Sequence, residues 1–222
     1  MTTNETDFLH FLKTRDMDFE FAGKMDMPVL QPVEINDLSK VDLLGFNYAT
    51  NPQNMIDKED RFIHFFLADG CFAKIWDNLE YYEGILNQYR GIVMPNFSMY
   101  TTMPRAMQIW NCYRNMWLAS YYQQHGITVI PSIQWSDEES FEYTFDGMPK
   151  HSCLCVSSVG CVQNPQVRQL FNQGFRRALK ELEPTQLIVY GKLTDDMRSR
   201  IKVPYINIES EMKQRIDKWK NK

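Results

Sequence analysis

The strongest constraint on this chain is the order of patterns between Arg90 and Asp137. An apolar run (Gly91 to Met94) is followed by a turn-rich polar segment, a long stretch with helical spacing and a second apolar run (Ile127 to Trp135). That order reads as a strand, a crossover helix and a parallel strand. The same grammar extends in both directions. Val41 to Phe46 and Phe62 to Leu67 read as strands before it, and Ser152 to Val156, Leu187 to Tyr190 and Val203 to Ile208 as strands after it. Helical spacing falls between them, at Phe72 to Tyr89 and at Pro165 to Leu182.

The expected fold is therefore α/β: about seven mostly parallel strands alternating with helices in a single domain over residues 41–222. Even strand spacing and the lack of a glycine-rich first turn favour a TIM-barrel-like or partly open barrel, with a doubly wound open sheet as the alternative. Residues 1–40 read as an N-terminal arm that packs on the domain surface. It comprises an amphipathic start at Phe8, Leu9, Phe11 and Leu12 and then a proline-containing stretch unsuited to regular structure. The polar loop 47–61 is long enough to be a lid or rim, and the chain ends in a charged helix.

Composition excludes several classes. With 44% hydrophobic and 14% aromatic residues the chain is built for a packed core, and a net charge of -4 does not suit a protein that wraps duplex nucleic acid. No signal peptide or long apolar run is evident, so a cytoplasmic protein without a membrane partner is expected. The five cysteines include no C-x-x-C pair, and their odd number argues against a disulfide framework. His151, Cys153 and Cys155 share a strand face at a spacing too wide for one zinc ion, so no metal is called for. Phosphate-loop, dinucleotide, zincin and nucleophile-elbow motifs are absent, and no cofactor is implied.

Either barrel or open sheet would place ligands at the carboxyl ends of the strands, where polar residues collect. These are Asn47, Asp69, Asn96, Ser98, Gln134, Trp135, Asp137, Ser157, Ser158, Tyr190 and Lys192. Asp69 and Asp137 are the candidate acid/base residues. Asn96, Ser98, Asn111, Arg114, Gln134, Trp135, Ser157, Tyr190 and Lys192 are candidates for ligand binding, Trp135 by stacking and Arg114 or Lys192 by charge. Each could instead cap a helix or shape a turn, and SDEES from Ser136 reads first as a solvated helix start. On the central helix, 100° steps put Ala106, Ile109, Trp110, Tyr113, Met116, Trp117 and Tyr121 on one apolar face. Arg114 falls within that arc. Its stem either runs along apolar surface to water, the favoured reading, or it pairs with Asp69 or Asp137.

The blocks MPNFSMY, MPRAMQIWNCYRNMWLASYYQQHGITVIPSIQW, SFEYTFDGMPKHSCLCVSSVG and LEPTQLIVYG resemble the domain-of-unknown-function 4417 family over about residues 40–191. The resemblance implies a setting in bacteria, phages and mobile elements, and no assigned activity. It marks Asn96, Ser98, Gln108, Asn111, Arg114, Trp135, Ser157, Gly160, Tyr190 and Gly191 as family-like positions. It also implies that an Asp more often stands where this chain has Asn96, and an amide cannot ionise.

Two functions follow as expectations. One is a small-molecule or nucleotide-processing domain, a hydrolase or transferase, with its pocket at the strand ends. The other is an accessory protein that binds a host protein or nucleic acid without chemistry of its own. Nucleic acid is the less favoured partner because of the acidic balance, and oligomeric state is open.

Overall fold

The computed structural model of the chain describes residues 18–51 and 58–214. The expected amphipathic start at Phe8 to Leu12, the middle of loop 47–61 and most of the terminal charged helix lie outside them.

A two-stranded antiparallel hairpin, β1 (Phe21–Ala22) and β2 (Met27–Pro28), comes first. The chain then alternates: β3 (Asp42–Gly45), α1 (Phe46–Ala49), β4 (Arg61–His64), α2 (Leu79–Leu86), β5 (Gly91–Val93), α3 (Arg105–Gln124), β6 (Val129–Ile130) and β7 (Ser132–Ile133). It continues with β8 (Cys153–Ser157), α4 (Pro165–Leu182), β9 (Gln186–Tyr190), α5 (Asp195–Arg200) and β10 (Tyr205–Ile208).

The α/β class and the parallel pairing agree with the sequence, but the sheet does not. The strands form two four-stranded parallel sheets, ordered β3-β4-β5-β6 and β10-β9-β8-β7. Among the described residues there is neither a single seven-stranded sheet nor a closed barrel, since no ladder joins β3 to β10. The doubly wound alternative also fails, because each sheet follows chain order with no reversal. Pro131 is the physical reason for the division. The run expected as one strand from Ile127 to Trp135 carries at its middle a residue without an amide N–H, which cannot donate to a ladder. Val129 and Ile130 pair with Ile92 and Val93 on one side, while Ser132 and Ile133 pair with Cys155 and Val156 on the other.

Strand alternation then builds two cores. Leu44, Ile63, Ile92, Val129, Ile133, Leu154, Val156, Leu187 and Val189 turn toward the cluster that includes the helices. Leu43, Phe62, Val93, Ile130, Cys153, Cys155, Ile188 and Tyr190 belong to a second cluster, lined by both sheets at once.

The segment after the hairpin closes that second cluster at the amino ends of the strands, instead of lying on the surface as an arm. Ile35 and Val41 are buried in it. The segment's backbone is paired by side chains. Gln123 accepts from Gln31 N–H and donates to Gln31 C=O, and Gln186 does the same for Ile35. At Gln31 and Ile35 two glutamine amides thus stand in for ladder partners, while Val33 C=O accepts from the backbone of Cys153.

Candidate functional site

Helix α3 organises one side of the strand ends. Of the face the periodicity predicts, Met116 and Trp117 are buried and Ile109, Tyr113 and Tyr121 pack against the core, but a polar face is buried as well. Gln108, Asn111, Cys112, Asn115, Leu118, Ala119 and Tyr122 are buried, whereas Trp110 is 45% exposed and Ala106 is exposed. The polar residues turn inward because the loop following β5 needs partners there. Asn115 accepts from Phe97 N–H at 2.7 Å and donates to Phe97 C=O at 3.2 Å. Asn111 donates to Ser98 C=O at 2.6 Å. Gln108 donates to Met103 C=O and accepts from Arg105.

On that loop, Ser98 donates through both its backbone N–H and its hydroxyl to Asp69, the hydroxyl at 2.8 Å. The Tyr100 hydroxyl lies 3.3 Å from the same Ser98 oxygen. Arg114 completes the group. It donates to Asn111 Oδ1 at 2.5 Å, and its guanidinium lies over the Phe97 ring, 3.6 Å from the centroid. It forms no ion pair with Asp69 or Asp137. Burial pushes the Arg114 guanidinium down from its ordinary range, opposed by attraction from Asp69 and Asp77. Its Nε is buried without a hydrogen-bond partner, as is Asn96 Oδ1. Asp69, Ser98, Asn111 and Arg114, all predicted, thus meet in one network, and Gln134 touches the same loop at Phe97 C=O, 3.5 Å away.

The remaining candidates stand elsewhere. Asp137 caps the 3-10 turn Glu138–Glu142 with a reciprocal capping box to Ser140, as the SDEES reading anticipated. It also receives both terminal nitrogens of Arg105 at 2.9 Å, which hold its carboxyl below the usual range. Glu139 shares that arginine. Trp135 packs on Phe171 and lies against Gly174. Ser157 accepts from Val159 N–H, and Lys192 is exposed.

Tyr190 leads to a second group, which the sequence reading missed. His64, at the end of β4, is fully buried and packs against Tyr190 at 4.5 Å. Its Nδ1 accepts from Phe66 N–H, which leaves Nε2 as the ring's donor. Nε2 faces Glu211 Oε1 at 3.5 Å, too long for a well-formed hydrogen bond. Glu211 accepts from Gly45 N–H at 2.8 Å and donates its own N–H to the Tyr190 hydroxyl. Burial opposes ionisation of Glu211, but His64 and then the Gly45 amide outweigh it and hold the carboxyl below its ordinary value. Burial raises the Tyr190 phenol to about 12. The one polar residue in the apolar run FIHFFL was the signal that could have singled out His64.

Beside α3 the surface is aromatic. Tyr100 is 62% exposed and Met107 50%. Trp76 meets Trp110 and Trp117 edge-on, with centroids 5.5 and 5.3 Å away. Two surface clefts of about 470 Å³ lie apart from these groups, and neither is lined by Asp69, Asn96 or Trp135. Among the described residues no helix is long and apolar enough to cross a membrane.

The sequence also matches a known family and two phage proteins. Residues 19–208 match the family described as domain of unknown function (DUF4417). The Gene 1 protein of Mycobacterium phage L5 is 33% identical over 183 residues, covering 82% of this chain and 78% of the phage protein. The Gene 1 protein of Mycobacterium phage D29 is 34% identical over 137 residues, covering 61% of this chain and 51% of the phage protein. No solved structure matches the chain.

Proposed function

The chain belongs to the DUF4417 family, and from that premise we propose that it is a small-molecule or nucleotide-processing domain, a hydrolase or transferase, that takes a negatively charged ligand beside Arg114. The observation that carries this reading is a half-buried guanidinium with no ion pair among the described residues, next to a serine whose hydroxyl is bound by a carboxylate. A buried cation compensated only at a distance is stabilised by an anion that reaches it. Ser98 with Asp69 has the form of a nucleophile and its proton acceptor. Asn96, whose side-chain oxygen lacks a partner, would orient the ligand by hydrogen bonding.

Native mass spectrometry of freshly purified protein tests this. A bound anionic species is expected in the wild type and absent from Arg114→Met, which keeps the packing over Phe97. The same species in both forms would overturn the reading.

A second reading is favoured by the exposed Tyr100, Met107 and Trp110, which lie on or near α3 as the centre of a protein interface would. In that case the chain is an accessory protein acting on a host protein. Affinity capture of one partner, lost in Trp110→Ala, is then expected while no small ligand is found.

A further inference from the structure

Glu211 lies in a setting that a free carboxylate would also fit. Its Oε1 sits 2.8 Å from Gly45 N and 3.5 Å from His64 Nε2, at the carboxyl ends of β3 and β4. His64 is 0% exposed, and its Nε2 has no hydrogen-bond partner. A buried donor left without an acceptor is uncommon in native proteins and calls for an explanation. Gly45 admits the close approach. A Cβ there would lie 3.1 Å from Glu211 Oε1 and 2.7 Å from Asn47 Oδ1. The walls beyond the two donors are aromatic, with Phe66 stacked on Tyr190 at 5.1 Å and on His64 at 5.5 Å.

We propose that Gly45 N–H and His64 Nε2–H form a binding site for the carboxylate of a small molecule, and that Glu211, from the segment after β10, fills it as an internal competitor. The site is separate from the Asp69, Ser98 and Arg114 group and does not depend on the reading given to that group. Two donors and one negative charge match a carboxylate; a phosphate offers more acceptor oxygens than this cradle can satisfy. The long approach to His64 is the weak point of the internal contact. Glu211 is tethered through its own N–H to Tyr190, and a free ligand can come to His64 at normal hydrogen-bond distance.

The test uses the full chain and acetate as the probe. With ¹⁵N-labelled histidine, the Nε2 signal of His64 is followed as acetate is added to wild type, Glu211→Gln and Glu211→Ala. Millimolar binding is expected for Glu211→Ala, about tenfold tighter than for wild type, because the competitor is gone. Glu211→Gln, which keeps the shape but loses the charge, should fall between them. The shift must appear at His64 and not at the other histidines. Equal affinity in all three proteins, or no shift of His64 in Glu211→Ala while that variant keeps the wild-type circular dichroism spectrum, would overturn the proposal. If Glu211→Ala does not fold, Glu211→Gln decides, and binding no tighter than wild type there overturns it too. Phosphate in place of acetate should produce no comparable shift. Because Arg114→Met is not used, the outcome says nothing about ligand binding at Arg114.

Discussion

Gly174 sits inside α4, where glycine ordinarily weakens a helix by about 0.5–1 kcal/mol relative to alanine. Here the backbone must approach Trp135 closely, and a Cβ would come within 2.2 Å of the indole. Gly174→Ala is therefore expected to destabilise the protein by roughly 2–3 kcal/mol through overpacking, despite its better helix propensity. Denaturant midpoints for Gly174→Ala, Trp135→Phe and the double variant check it, with the double less unstable than the sum. Asp137 offers a pH test. Hydrogen bonds from Arg105, and then from Ser140 N–H, hold its folded value below the ordinary 3.8. A depressed carboxyl stabilises the fold fully above its unfolded value, and that contribution is lost as pH falls through the lower, folded one. Asp137→Asn should thus flatten the acid limb of a stability-against-pH curve. An unchanged slope would mean that the Arg105 pair contributes nothing. The cap at Asp137 was legible in SDEES, whereas the packing of Trp135 on Phe171 was not, because a packed ring and a stacking ring use the same residue type. His64 and Glu211 escape the sequence for another reason, since they meet only once β4 and the segment after β10 are side by side.

Helix α4 was legible to its ends, Pro165 and Leu182, because every local signal agrees. Asn164 accepts from Gln166 N–H and Val167 N–H, a proline opens the first turn, and the apolar residues recur on one side. Asn164→Ala should cost about 1 kcal/mol, read as a shift in thermal midpoint without loss of helix at room temperature. For α3 the helix was legible and its orientation only in part, since Met116 and Trp117 are buried as the periodicity predicts. Large aromatic residues dominate any apolar average, yet Trp110 faces solvent while Gln108, Asn111 and Asn115 are buried to serve the backbone of the loop 97–98. Hydrogen-bond demand from a loop leaves no mark on periodicity. Asn115→Leu, close in volume but unable to pair with Phe97 N–H and C=O, is expected to destabilise by roughly 2–4 kcal/mol and to increase amide exchange at Phe97. Pro131 was visible in the sequence, but its effect in dividing one expected strand between two sheets depends on which neighbours lie on either side.

At the level of the whole molecule, the two sheets share the cluster around Phe62, Val93, Ile130, Cys155 and Ile188. Neither sheet can lose that face without exposing the other, so the described residues should unfold in one step. Far-ultraviolet circular dichroism and tryptophan fluorescence are expected to give coincident denaturation curves, and separated midpoints would show that the break at Pro131 is also an energetic boundary. The alternation of strands and helices was readable because it is written in each segment. The closure was not, because it depends on whether distant edges meet. The contact of Trp76 with both Trp110 and Trp117 has an optical consequence. Indoles at that separation couple their excited states, so the ground-state spectrum should carry a split exciton band that Trp76→Phe abolishes. That band reports how the turn before α2 lies against α3, and binding at the exposed aromatic surface could be followed by it without a label.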